Sequence, residues 1–382
     1  MNNPGEKSPS PGAWFVGDVC LSEGSAAAWS DPARPGLFEA LRASVSETPI
    51  LVGNVEGTFT NRDRPTPGKY AVFKAEPGLV RVLRGLDVAL LANNHMSDYG
   101  PEGAEETIGH LRAAGIACVG YGRLGENGTA SVVVRRNGLA LGIVNLCCPS
   151  TNPAALATCE SPGVAPLSLD VLKAEIEKCR AEADLVVFCP HWGLELTAVP
   201  VPEQMWIARQ AIDWGADAVI GNHAHVIQYG ETYRGRAIYY GLGNFIYPAG
   251  DWLSTETGQN LTRKTYRMSE AERVSLAVAL TQKPDDRPAE DSAIRIRFGE
   301  DHVPAVMGPA GKSRDLRKPG IWRTVRAAWL RWSCGGNPQL NYFAVWSGGQ
   351  VRYWYGSARP GPGLPIKWMV AIWHFFRHAV QK

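Results

Sequence analysis

None of the eight cysteines in the 382-residue sequence forms a CxxC pair or has zinc-knuckle spacing. Most lie inside apolar runs such as LVVFCP and IACVG, where a free thiol behaves as a small hydrophobe. A disulfide framework is therefore not expected, and a reducing, cytoplasmic setting is. No uncharged apolar run reaches about 18 residues, which argues against a membrane-spanning helix. The opening MNNPGEKSPSPG is polar, with no basic stretch leading into an apolar core, so it does not read as a signal peptide. Acidic residues almost vanish from the end of the chain. Residues 311–382 carry 12 Lys and Arg against the single acid Asp315, and seven of the 13 tryptophans. The formal net charge of +2 conceals this split, because residues 1–310 hold 36 acidic and 27 basic residues. A hydrophobic content of 45% and a charged content of 20% exclude a disordered or fibrous chain.

Short apolar runs recur along the first three-quarters of the sequence. AWFVG (13–17), ILVGN (50–54), VALLA (88–92), ACVG (117–120), ALGIVNL (140–146), DLVVFCP (184–190), DAVIG (217–221) and AIYYGLGNF (237–245) read as strands. Between them, 77–86, 101–115, 167–183 and 201–215 place apolar residues three and four apart, as amphipathic helices do. Strands alternating with helices of this length predict a layered α/β fold. The expected organisation is a flexible N-terminus (1–11), an α/β domain (12–305), a linker or surface loop (306–320) and a small basic, Trp-rich C-terminal extension (321–382). TQKPDDRPAED reads as an exposed loop before the strand SAIRIRF. GPAGKSRDLRKPG lacks the glycine arrangement and strand context of a nucleotide-binding loop.

The strand ends carry the chemistry. GDVCLS brings Asp18, GNVEG brings Asn54 and Glu56, and LANNHMSDYG brings Asn93, Asn94, His95 and Asp98. CPHWGLE adds His191 and Glu195, GNHAHVIQ adds Asn222, His223 and His225, and GLGNF adds Asn244. In open α/β sheets the carboxyl ends of strands face a common crevice, so these groups are expected to converge. If the segment is extended, alternation points His223 and His225 the same way. Each residue has a plain alternative: an Asx turn for Asp18, a helix cap for Asn94 and His95, a satisfied core position for His191. Taken together, carboxylate, amide and imidazole groups suit divalent Mn, Fe or Zn. Asp18, Asn54, Glu56, Asn94, His191, His223 and His225 exceed what one tetrahedral ion needs and fit two ions sharing a carboxylate. Asp98, Glu195 and Asn244 read as residues that support the ligands or shape the loops.

GDVCL, GNVEG, LANNHMSDYG, GYG at 120–122, HWGLE, GNHAHVIQ and YYGLGNF, in this order over about residues 12–250, resemble the CapA family of capsule and poly-γ-glutamate biosynthesis proteins, related to calcineurin-like metallophosphatases. The resemblance implies a four-layer αββα sandwich. It also implies that Asn94 binds metal while His95 stands near the leaving group as the catalytic acid. Two positions depart from the metallophosphatase pattern. Cys20 occupies the place of a histidine two residues after the first aspartate, and GNVEG lacks the usual aspartate, which shifts that role to Glu56. Family members in capsule systems often carry a membrane anchor, and no N-terminal anchor is evident here.

The expected function is a two-metal hydrolase or amide-processing enzyme acting on a γ-glutamyl, peptide-like or other anionic substrate, with a metal-activated water as nucleophile. A phosphoesterase and a non-catalytic capsule-assembly or polymer-binding protein are the alternatives. Arg62, Arg64 and Lys69 would meet the substrate's negative charge, or form an ordinary solvated loop. The segment 365–380 is amphipathic and reads as a packed helix or a membrane-surface contact, and a biosynthetic protein partner fits the basic extension. Nucleic-acid binding is not expected, for no RNA-binding motif accompanies the basic aromatics. NYFAVWSGGQVRYWYG (341–356) reads as a hairpin.

Overall fold

Ile50–Val55 is buried at every position, as are Leu185–His191, so these strands need cover on both faces. The computed structural model of the protein describes residues 12–25, 28–44, 49–248, 250–256, 261–282, 290–299, 304–310, 342–347 and 350–355. The chain divides into two compact units, Met1–Trp329 and Leu330–Lys382.

Two large sheets dominate the larger unit. The first contains β1 (Gly12–Val19), β2 (Ile50–Val55), β3 (Val88–Leu90) and β4 (Ala117–Val119), parallel and adjacent in that order. The second contains β5 (Ser131–Arg136), β6 (Leu139–Cys147), β7 (Leu185–His191), β8 (Ala218–Ile220), β9 (Glu231–Tyr233) and β10 (Arg236–Tyr239), in the spatial order β9-β10-β8-β7-β6-β5. β11 (Asn244–Ile246) then crosses back to the first sheet and pairs with the end of β1. A hairpin of β12 (Gly250–Ser254) and β13 (Thr262–Tyr266) follows. β14 (Val274–Thr281), β15 (Glu290–Phe298) and β16 (Pro304–Pro309) finally extend the first sheet antiparallel on the free side of β1.

Strand alternation explains the layering. Phe15, Val52, Leu90 and Val119 of the first sheet share one apolar cluster with Ile143, Val187, Ile220 and Tyr239 of the second. The intervening residues, among them Leu51, Ala89, Val186 and Phe188, join the helices instead. Those helices are α1 (Leu37–Ser44), α2 (Gly100–Ala113), α3 (Leu169–Arg180) and α4 (Pro202–Asp213). Leu111 of α2, Ile176 of α3 and Ala208 of α4 are fully buried in this second cluster. The result is the four-layer αββα arrangement, with sheet packed on sheet and helices outside.

Several elements differ from the expectation. Residues 77–86 form a 3₁₀ helix, Pro77–Leu83, because Arg84 turns extended and Gly85 takes φ +92° before β3. α1 and β5 were not anticipated; Pro and Gly flank the first, and SVVVRR is only half-buried on an edge. Regular pairing continues through Pro309, past the boundary expected at 305.

The smaller unit contains an antiparallel pair, β17 (Tyr342–Ser347) and β18 (Gln350–Tyr355), with Tyr342 opposite Tyr355 and Ser347 opposite Gln350. This is the hairpin expected at 341–356. The N-terminal segment 1–11 expected to be flexible, most of the expected linker and the segment 365–380 lie outside the described residues. Among the described residues no helix is long and apolar enough to cross a membrane.

One close approach fixes the first functional residue. The register of β1 shifts between Val16 and Asp18, and the Asp18 amide donates to Gly243 O at 3.0 Å. A Cβ at Gly17 would lie 1.8 Å from that same carbonyl, so only glycine lets β11 dock beside Asp18. Gly17→Ala is expected to cost at least about 1–3 kcal/mol as an overpacked site. Its melting temperature and bound-metal content should both fall, as scanning calorimetry and elemental analysis would report.

Candidate metal centre

All the expected strand-end residues except Glu195 are buried, and they meet where the carboxyl ends of both sheets come together. Asp18 ends β1, Asn54 and Glu56 end β2, and Asn93, Asn94 and His95 follow β3. From the second sheet come His191 at the end of β7 and His223 and His225 just after β8.

The centre is organised around Glu56. Its Oε1 lies 3.9 Å from Nε2 of His95, of His191 and of His225, and it has no hydrogen-bond partner. That separation is too long for a hydrogen bond. For His191 and His225 it fits ligands gathered around a shared ion, since two ligands each about 2.0–2.2 Å from one cation lie at most about 4.4 Å apart. A buried carboxylate oxygen without a partner is otherwise costly. His223 Nδ1 is a second buried atom with no partner. Three groups bring their ligand atoms within 4.8 Å of one another: Glu56, His191 and His223; Asp18, Glu56 and His225; and Glu195, His223 and His225. The residues therefore fit divalent cations, and Glu56 is common to the first two groups.

Electrostatics agree with that chemistry at His191 and His223. Burial, then Asp18, pushes the Glu56 carboxyl well above the usual carboxylate range. Burial holds His191 well below the imidazole range, with His223 adding to it, and burial with His225 does the same to His223. Both rings are thus neutral, the form a metal requires. Burial also opposes charge on His225, yet Glu56 and Asp18 overcome it and raise this histidine to about 10.

Neighbouring groups set the orientations. His191 Nε2 is 2.9 Å from Asn94 Oδ1. Asn54 Nδ2 donates to Asp18 Oδ1 at 2.8 Å and Glu56 Oε2 at 3.3 Å, while its Oδ1 accepts from Asn93 Nδ2. Asn54, expected among the ligands, here holds the two carboxylates in place. Asn244 Oδ1 lies 3.0 Å from His225 Nδ1, and Asp98 Oδ2 lies 2.7 Å from His95 Nδ1. The His95 ring also packs edge-on against Phe73, and His225 packs at a tilt against Tyr247.

The histidine pair is not on an extended strand. Residues 223–226 form a bend in which His223 has φ +95° and His225 +57°, conformations unfavourable for side-chain-bearing residues. Such strain persists where surrounding structure over-determines it. Here the His223 amide is anchored to Asp18.

Cys20, in the place of the metallophosphatase histidine, is packed away with Ala71, Phe73, Tyr247 and Phe298. Burial, then Glu56, Asp98 and Asp18, raise its thiol well above the usual range, which disfavours a thiolate. Arg62 and Arg64 lie on the surface and line a cavity of about 510 Å³ with Asp63, Thr66, Tyr99 and Gly100. Arg62 is paired with Glu106 at 2.9 Å. Lys69 is not beside them. It is buried behind the His95 turn, where Nζ donates to Asn94 O at 2.5 Å and Asn152 O at 3.1 Å and lies 3.4 Å from Asp98 Oδ1.

Sequence reasoning missed Asn145. Its Oδ1 accepts from the amides of Leu91 and Ala92, and its Nδ2 donates to Cys189 O, so this amide ties the turn before Asn94 to both β6 and β7. The signal was a single amide inside the apolar run LALGIVNLC, since a buried polar group needs partners.

A model of the family described as bacterial capsule synthesis protein PGA_cap matches residues 13–249. The chain belongs to the PGA_cap family. The matched region contains every strand end of the PGA_cap centre, from Asp18 to Asn244. The capsule biosynthesis protein CapA of Bacillus anthracis is 36% identical over 176 residues, 45% of this chain and 42% of that one. The PGA biosynthesis protein CapA of Bacillus subtilis is 28% identical over 247 residues, 64% of each chain. The PGA_cap chain thus spans less than two-thirds of the length of these relatives. A hypothetical protein from Thermus thermophilus shares 18% identity at a TM-score of 0.42, with 78% of this chain and all of that one covered.

Proposed function

We propose that this PGA_cap chain is a two-metal hydrolase that cleaves an amide in a γ-glutamyl or related polyanionic substrate. The partnerless Glu56 Oε1, 3.9 Å from Nε2 of His191 and of His225, carries the reading. Glu56, Asn94, His191 and His223 would hold one ion, and Asp18, Glu56 and His225 the other. Two divalent cations there, Mn, Fe or Zn, would supply Lewis acidity and an acidified water.

The protein's own groups do the rest. Asp98 fixes the His95 ring through Nδ1, which leaves Nε2 facing Glu56 and free to deliver a proton to a departing amine. Asn54 keeps Asp18 and Glu56 turned toward each other. Arg62 and Arg64, beside the turn that carries His95, offer positive charge to a substrate's carboxylates. Membership in a capsule-synthesis family and the polymer named for the B. subtilis relative favour an amide over a phosphoester. The described cysteines are all free, which supports work in the cytoplasm. We further propose that the basic extension meets a biosynthetic partner or a membrane surface.

The test is turnover of γ-glutamyl amides and phosphoesters by the metal-replete protein, alongside His223→Ala. Removal of this ligand should lower kcat by about 100-fold or more. Metal-dependent cleavage of phosphoesters alone would redirect the substrate assignment. Full metal binding without turnover of either class would leave a binding role in capsule assembly.

A further inference from the structure

Glu195 differs from the other acids of the centre. Asp18, Glu56 and Asp98 are fully buried, whereas Glu195 is exposed. One of its carboxylate oxygens nevertheless lies within 4.8 Å of ligand nitrogens on both His223 and His225.

The loop is built to hold it there. After His191 the chain turns through Gly193 at φ +90° and Leu196 at φ +56°. The Leu196 amide then donates to Ala224 O at 2.8 Å, between the two histidines, and Thr197 Oγ1 donates to Glu195 O at 3.2 Å. Glu195 is thereby fastened to the same bend that presents His223 and His225. An independent observation points inward from that bend: His223 Nδ1 is buried and has no hydrogen-bond partner.

Ligand supply asks for such a group. Asp18, Glu56 and His225 make three protein ligands, and Cys20, the nearest sulfur in sequence, is committed to an apolar cluster. Divalent sites of this chemistry take four or more ligands. A carboxylate on the solvent side can complete the set while still leaving when substrate arrives, because no hydrogen bond from neighbouring side chains is needed to keep it in water.

We propose that Glu195 is a metal ligand closing the solvent side of the centre at His223 and His225, rather than a residue supporting other ligands from behind. This rests on the metal reading above and adds to it a protein group in direct contact with the cation.

The test uses the full chain, stripped of metal by chelation and titrated with Mn²⁺ in a calorimeter, with bound metal counted by elemental analysis. Glu195→Gln keeps the shape and removes the charge; because the residue is exposed, the melting temperature of the metal-free protein should not move. The parent should take up two ions. Glu195→Gln should weaken one of them by at least tenfold and leave the other unchanged, a loss no smaller than that caused by removing an outer partner of a metal ligand. Glu195→Asp should recover part of the difference. Parental affinity for both ions in Glu195→Gln would overturn the proposal even if turnover fell, and so would equal weakening of both. A parent that binds no Mn²⁺, and no Zn²⁺ in a parallel titration, would remove the metal reading itself, a result distinct from either.

Discussion

Glu56→Gln is expected to abolish stable metal binding and to lower turnover by at least about 1,000-fold, while making the metal-free protein more stable. Both effects follow from one position. Glu56 belongs to two of the three ligand groups, so replacing its carboxylate removes an anionic ligand from both ions at once. Gln keeps the length of the side chain and can still accept from Asn54 Nδ2, so the loop should hold its shape. Without metal, however, the native carboxylate is fully buried beside Asp18, and burial with that like charge raises its folded-state pKa well above normal. The folded state then binds more protons than the unfolded state. Glu56 therefore lowers stability as pH rises above the unfolded carboxyl value of about 4.3, and the penalty is absent below it. The metal-free Glu56→Gln variant should melt higher than the metal-free parent at neutral pH, by about 2–4 °C for each kcal/mol gained. The two melting curves should converge near pH 4. Calorimetry of chelated samples across this range, with metal analysis of untreated samples, checks both halves. A metal-free variant less stable than the parent at pH 7 would contradict the electrostatic account of Glu56.

Lys69→Met should be the most destabilising of the substitutions considered. The ammonium satisfies two backbone carbonyls and lies 3.4 Å from a buried carboxylate. Removing it leaves Asp98 with an uncompensated charge and Asp98 Oδ1, which has no hydrogen-bond donor of its own, facing an apolar side chain. Breaking a buried pair in this way costs about 3–5 kcal/mol. Three segments are released together: the strap containing Lys69, the turn carrying Asn94 and His95, and the turn at Asn152 beyond β6. Activity should therefore fall with stability, and the Lys69 charge is also among those that hold His191 and His223 below the imidazole range. Thermal unfolding measures the first effect. A double substitution, Lys69→Met with Asp98→Asn, should recover part of the melting temperature by removing the stranded charge, but not the turnover, because His95 then loses its carboxylate.

Much of this arrangement is legible in the sequence because parallel strands deliver their ends to one place. The apolar runs located β1–β4 and β6–β8, and the polar residues just beyond them are the ones that converge. What escaped detection depends on contacts between distant segments. Alternation placed His223 and His225 on the same side of an extended strand; they converge instead through two left-handed residues, which period-2 patterning does not describe. Lys69 reads like its neighbours Arg62 and Arg64, and only tertiary structure turns its strap inward. Asn145 sits in an apolar strand whose periodicity says nothing about one amide reaching across to the turn before Asn94. Cys20 stands where the metallophosphatase pattern has a histidine, and only tertiary structure shows it packed among aromatic side chains.

The place of β1 in its sheet bears on how the protein is made. One flank of Gly12–Val16 is completed only by β14, whose partner residues lie at 277–281, and Asp18 is braced by Asn244 and Gly243. The first strand thus leaves the ribosome long before the segments that finish its edge. At roughly 5–20 residues per second, the gap between them is about 13–55 seconds. During that interval β1 presents an open edge, a hazard for wrong pairing. Contacts this distant in sequence also make for slow folding. Truncation before β14 would therefore yield more than a shortened protein: it would leave the strand that carries Asp18 without its permanent neighbour.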